Sequence, residues 1–176
     1  FPTTLADGST YAVAVSERPT GQTCSIANAS GTVAGANVNN VSVTCSNISY
    51  TISVANNSGA SVSISGSNAT NATNPNTASS FNFLAEKDDP VVLSASKTGY
   101  NCSIVTTPTS INPITGNAIA NVNCTANIYT VGGTNADGAS ISISGSSVTG
   151  QPATTASPYS FNTNFADVVT LTATKT

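Results

Sequence analysis

Along most of this chain apolar side chains recur at every second position. Tyr50, Ile52 and Val54 alternate with Thr51 and Ser53, and Val62 and Ile64 alternate with Ser61, Ser63 and Ser65. The same period runs through Tyr11, Val13 and Val15, through Val91, Leu93 and Ala95, and through Val41, Val43 and Cys45. A period of two places successive side chains on opposite faces of an extended backbone. Each run therefore predicts a half-buried strand with an apolar inner face and a hydroxyl-rich outer one. The runs are separated by Asn57-Ser58-Gly59, Asp88-Asp89-Pro90, Thr98-Gly99 and Asn112-Pro113, which read as turns. Strong helix formers such as Lys, Glu, Arg and Gln are scarce. The expected fold class is all-β.

The strand pattern itself repeats. YTISVANNSGASVSISGS (50–67) falls on YTVGGTNADGASISISGS (129–146) with eleven of 18 positions identical and no gap. Ser80-Phe81-Asn82 is matched to Ser160-Phe161-Asn162, and LSASKT (93–98) to LTATKT (171–176). Thr20-Gly21-Gln22-Thr23-Cys24-Ser25-Ile26 lies on Thr98-Gly99-Tyr100-Asn101-Cys102-Ser103-Ile104, and Val43-Thr44-Cys45 on Val122-Asn123-Cys124. The period, taken from Tyr50 to Tyr129, is about 79 residues, within the range of repeat architectures. Residues 50–128 are thus expected to be one complete unit, preceded by the second half of a unit (1–49) and followed by the first half of another (129–176). Six or seven strands in each unit is the density of a small immunoglobulin-like sandwich, so tandem sandwiches are expected. Both ends of the chain correspond to roughly 81–97, which suggests a window of a longer polypeptide. The alternative is that the half-units complete one another between successive subunits.

Four cysteines occupy equivalent places in the repeat. The Cys24-to-Cys45 and Cys102-to-Cys124 separations, 21 and 22, are nearly equal. No pair has the Cys-x-x-Cys spacing of a zinc or redox site. One local disulfide in each unit, Cys24–Cys45 and Cys102–Cys124, is the economical pairing, with four buried free thiols as the alternative. Such bonds persist in oxidising surroundings, so export is expected.

Composition narrows the function classes. Ser, Thr and Asn number 26, 27 and 21, while charged residues are 6% and the net charge is −3. The surface is therefore polar through hydroxyls and amides. There is no basic footprint for nucleic acid and no polybasic membrane patch. Histidine is absent, which removes the commonest general base and metal ligand. No Gly-x-Ser-x-Gly elbow is present, and a catalytic serine is not expected. No apolar run approaches the roughly 18 residues of a membrane span.

The remaining candidates each have a plain structural reading. Glu86-Lys87-Asp88-Asp89 could form a calcium corner but lacks a spaced Asp-x-Asp pattern, and a solvated turn is favoured. Asn135-Ala136-Asp137-Gly138 reads as a turn of the same kind. Lys97 aligns with Lys175, which raises the idea of an isopeptide lysine, yet Pro19 stands at the third equivalent place. Asn-x-Ser/Thr triplets begin at Asn28, Asn40, Asn47, Asn56, Asn68, Asn71, Asn101 and Asn123. Asn68 and Asn71, in a polar loop, are the best candidate glycosylation acceptors. Threonine ladders such as Thr170, Thr172 and Thr174 read as the outer face of a sheet.

LADGSTYAVAVSERPTGQTCSIANASGTV (5–33) followed by NVNNVSVTC (37–45) resembles the paired-cysteine repeats of large exported bacterial surface proteins. The likeness is strongest over 5–45 and weaker over 81–124, where Tyr100 and Asn101 replace Gln22 and Thr23. It implies immunoglobulin-like stalks of adhesins or extracellular filaments, located outside the cell or on its surface. It supplies no catalytic residues and no cofactor, so an enzyme is not expected. The function expected is a structural segment of a surface fibre whose partners are neighbouring copies of itself. The alternative is a glycan- or matrix-binding adhesin module using loops 67–79 and 105–118, with Tyr100 and Tyr159 as the aromatics nearest turns.

Overall fold

The computed structural model describes residues 4–66, 68–145, 147–148 and 151–175. Ser67, where the 67–79 loop begins, and Thr176, the last residue of the LTATKT match, lie outside the described residues. The fold is all-β, with fourteen strands and no helix among the described residues. Four strands precede the central unit: β1 (Thr10–Ala12), β2 (Gln22–Ala27), β3 (Ser30–Thr32) and β4 (Ser42–Asn47). The central unit contains β5 (Ser49–Ala55), β6 (Ser61–Ser65), β7 (Ser80–Glu86), β8 (Val92–Ser96), β9 (Tyr100–Thr107) and β10 (Ala118–Ala126). Four more follow: β11 (Ile128–Gly133), β12 (Ser140–Gly145), β13 (Tyr159–Asn164) and β14 (Val169–Thr174).

In the central unit one sheet has the order β7-β5-β10-β9 and a second pairs β6 with β8. The alternation read from the sequence decides which side chains meet between them. Ile52 and Val54 of β5, Phe83 and Ala85 of β7, and Ala118, Ala120 and Val122 of β10 share one core with Val62 and Ile64 of β6 and with Val91. Ile111 and Ile114, from the connection between β9 and β10, close its end. Most strand pairs are antiparallel, but β10 runs parallel to β5, with Ala118 opposite Ile52 and Ala120 opposite Val54. The first and last strands of the unit therefore point the same way. The chain enters at one end of the unit and leaves at the other.

Outside the central unit the sheets are all two-stranded. β1 pairs β3, β2 pairs β4, β11 pairs β13 and β12 pairs β14. Residues 4–49 contain no buried side chain, and 128–175 bury only Asn135, Ile141, Phe161 and Thr163 among the described residues. The run Tyr11, Val13, Val15 forms a strand only as far as Ala12, because its partner β3 is equally short and ends opposite it at Ser30.

The register corrects one step of the repeat alignment. Phe83 lies opposite Ile52, and Phe161 lies opposite Val131, which stands one period after Ile52. Phe161 is therefore the counterpart of Phe83 (both buried) rather than of Phe81. The Ser-Phe-Asn triplet misled because Tyr159, not Phe161, stands in the place of Phe81.

Candidate functional site

Two links between consecutive strands, one period apart in the sequence, are built the same way. Strand β4 passes into β5 through the single residue Ile48, and β10 passes into β11 through Asn127. The Ile48 amide donates to Gly21 O at 2.8 Å and the Lys87 amide donates to Ile48 O at 2.7 Å. One period later, the Asn127 amide donates to Gly99 O at 2.9 Å and the Phe165 amide donates to Asn127 O, also at 2.9 Å. Both backbone groups of each linking residue are thus paired, one to each flanking segment.

The accepting glycines have positive φ, +74° at Gly21 and +75° at Gly99, a region that costs an L side chain strain. Gly99 carries a second constraint. A Cβ there would fall 2.1 Å from the Phe165 ring, whereas at Gly21 the nearest atom is Lys87 O at 3.9 Å. Phe165 also meets the Tyr100 ring edge-on at 6.0 Å, and the Lys97 ammonium lies 4.3 Å from the centre of the Tyr100 ring. Gly99→Ala is expected to lose roughly 1–3 kcal/mol in a urea titration. Gly21→Ala is strained only in its backbone conformation and loses less.

Both cysteine pairs are bonded, Cys24 to Cys45 and Cys102 to Cys124, and no cysteine is free. The partners stand directly opposite on neighbouring antiparallel strands, with Cα atoms 4.0 and 4.1 Å apart. Each bond therefore staples one strand pair, β2–β4 or β9–β10. Cys102 and Cys124 pack against the core, while Cys45 is exposed.

The two copies of the stapled pair differ in what covers them. Val122 on β10 is 4% exposed, yet its counterpart Val43 on β4 is 56% exposed. In the last segment Leu171 is 38% exposed, whereas Leu93 packs on the core. Among the described residues β4 pairs with β2 alone and β11 with β13 alone.

Several of the polar candidates make hydrogen bonds within the chain. Asp89 Oδ2 accepts from the amides of Glu86 (3.0 Å) and Asn68 (3.2 Å), and Lys87 pairs with Asp88. Asp167, one period on, accepts from the Asn164 amide at 2.9 Å and from Ser147 Oγ at 2.7 Å. No group of three or more potential metal ligands occurs among the described residues. Lys97 Nζ donates to Ser58 O at 2.6 Å, so the lysine is engaged in a tie between turns. Asn68 and Asn71 are both exposed. Tyr100 is taken up by the junction, but Tyr159 lines a shallow groove with Gln151, Pro152 and Pro158.

Sequence reasoning misses Asn56, whose Asn-x-Ser triplet carries no sign of a structural role. Asn56 is fully buried. Its Nδ2 donates to Ala60 O (2.8 Å) and Ala78 O (3.1 Å), and its Oδ1 accepts from the Ala60 amide (3.0 Å). Asn135 repeats the arrangement with Ala139 and Thr155. The available signal is their identity in the ungapped alignment of 50–67 on 129–146, where neighbouring positions vary.

Comparison with family models, with curated proteins and with solved structures finds no match in any of the three.

Proposed function

We propose that this chain is a structural segment of an exported surface fibre or stalk, built from tandem immunoglobulin-like sandwiches. In this reading residues 50–128 are one complete sandwich, 1–49 end one unit and 129–176 begin the next. The observation that carries it is the junction. A unit whose first and last strands are parallel, joined to the next by one doubly hydrogen-bonded residue, takes the chain in at one end and out at the other, as a stalk requires. Disulfides and a hydroxyl-rich surface suit an oxidising, extracellular setting. No helix among the described residues is long and apolar enough to cross a membrane.

Nothing in this role requires catalysis or a cofactor. The units bear load and hold distance, and neighbouring copies are the partners. Asn68 and Asn71 would carry glycans on the outer surface if the producing cell glycosylates. Immunogold electron microscopy of producing cells, with antibody against residues 50–128, is expected to label extended surface structures. Label confined to the cell interior would sink the reading.

A glycan-binding module is the second reading, supported by the groove beside Tyr159. Tyr159 and Phe161 stand 5.9 Å apart there, and the Gln151 side chain is fixed by two hydrogen bonds to the Asn162 backbone. A sugar ring stacked on Tyr159 would be the mode of binding. A glycan array probed with the full chain and with Tyr159→Ala separates the two readings.

A further inference from the structure

We propose that the parallel seam between β5 and β10 is a tension lock whose two ends are secured by the side chains of Asn117 and Ser58. This rests on the fibre reading and deepens it by naming the contact that resists a pull along the chain.

Tension in a stalk reaches the central unit from β4 through Ile48 and leaves β10 through Asn127 into β11. It therefore draws β5 by its first residue and β10 by its last. The two strands are parallel neighbours, so these pulls act in opposite directions along one seam. Ladder hydrogen bonds run from strand to strand, across the pull, and a seam sheared in this way must break them together. A pair of strands pulled apart from one end opens bond by bond instead. Strand direction, more than the number of bonds, sets the resistance.

The backbone ladder of the seam covers four residue pairs, from Ala118 opposite Ile52 to Asn121 opposite Ala55. Side chains prolong it at both ends. Ahead of the ladder, the Thr51 amide donates to Asn117 Oδ1 at 2.9 Å. Past it, Ser58 Oγ donates to Val122 O at 3.1 Å and accepts from the Cys124 amide at 3.2 Å. β5 ends at Ala55, so one hydroxyl from the following turn stands in for the strand residues that Val122 and Cys124 would otherwise meet. That turn is itself held, because Lys97 Nζ donates to Ser58 O at 2.6 Å.

The disulfide gives the lock a second stage. Cys102 and Cys124 are 22 residues apart, and Cys124 lies at the Ser58 end of the seam. Once the seam has sheared, the bond keeps the chain between the two cysteines out of the stretched path, which limits how far a yielding unit can extend.

Single-molecule stretching of the full chain, held at its two ends without reductant, tests this. The central unit should give the event of highest force, and Asn117→Ala and Ser58→Ala should each lower that force. Forced unfolding follows the unfolding rate rather than equilibrium stability, so a second pulling geometry distinguishes the lock from ordinary stabilisation. A handle at Thr115→Cys, an exposed position three residues before β10, and another at the N-terminal end of the chain peel β5 from β10. Every native cysteine is bonded, which makes the added thiol the one point of attachment. In this geometry the central unit should yield at a lower force, and the two alanine variants should match the parent. With reductant, the end-to-end step of the central unit should lengthen by about 75 Å, the reach of 22 released residues at roughly 3.3–3.6 Å each. Equal forces in the two geometries, or alanine substitutions that weaken both alike or neither, would overturn the lock. The location of the protein is decided by the immunogold experiment, so the lock and the fibre reading can fail separately.

Discussion

Asn56→Ala is expected to destabilise the central unit by about 3 kcal/mol, the cost of leaving buried backbone groups without partners. The side chain satisfies Ala60 O, Ala78 O and the Ala60 amide, and the asparagine itself is fully buried. An alanine can satisfy none of them. Asn56→Asp should be at least as damaging. It keeps the acceptor for the Ala60 amide but turns a second oxygen toward two carbonyl oxygens, and a carboxylate there would be buried without a cation. The check is the urea midpoint of the central unit, followed by amide exchange across β5 and β6. A loss within about 0.5 kcal/mol, the usual range of a surface substitution, would show that the turn is not held by this residue. Asn135→Ala should have a smaller effect, because β11–β14 carry only a partial core.

Reduction of the disulfides should divide the molecule. Closing a loop of about 22 residues is worth roughly 3 kcal/mol in the chain-entropy account. The two bonds start from different positions. Cys102 and Cys124 lie beside the buried core of the central unit, so that unit should survive reduction with a lower midpoint. Cys24 and Cys45 join two strands that bury nothing, and a two-stranded sheet is marginal on its own. In a reducing buffer β2 and β4 should lose amide protection and become accessible to protease while β5–β10 remain protected. Exchange measured by mass spectrometry with and without reductant decides it. Equal loss of protection in both regions would mean that the central core depends on its disulfide as fully as the β2–β4 pair does.

Much of this could be read from the chain before any coordinates. The period of two and the turn residues placed β5, β6 and β8 within a residue or two, because alternation is a local property that each strand carries alone. The self-similarity of the sequence likewise needed only the letters. The true equivalence of Phe83 and Phe161 did not emerge, since an identical Ser-Phe-Asn triplet outweighed a register that only pairing with β5 and β11 could reveal. Asn56 went unrecognised for a related reason. An asparagine looks the same in sequence whether it faces water or clips a buried turn, and in a chain with 21 of them the second case is hidden.

The sequence by itself determined the all-β character, the length of the repeat and which cysteines belong together, since local alternation and spacing suffice for these. Only tertiary structure decided that β10 lies parallel to β5, that Ile48 and Asn127 are clamped on both sides, and that Val43 is bare where Val122 is covered. Those facts depend on which strands become neighbours, and neighbours in a sheet are set by long-range packing of faces rather than by any stretch of chain read alone.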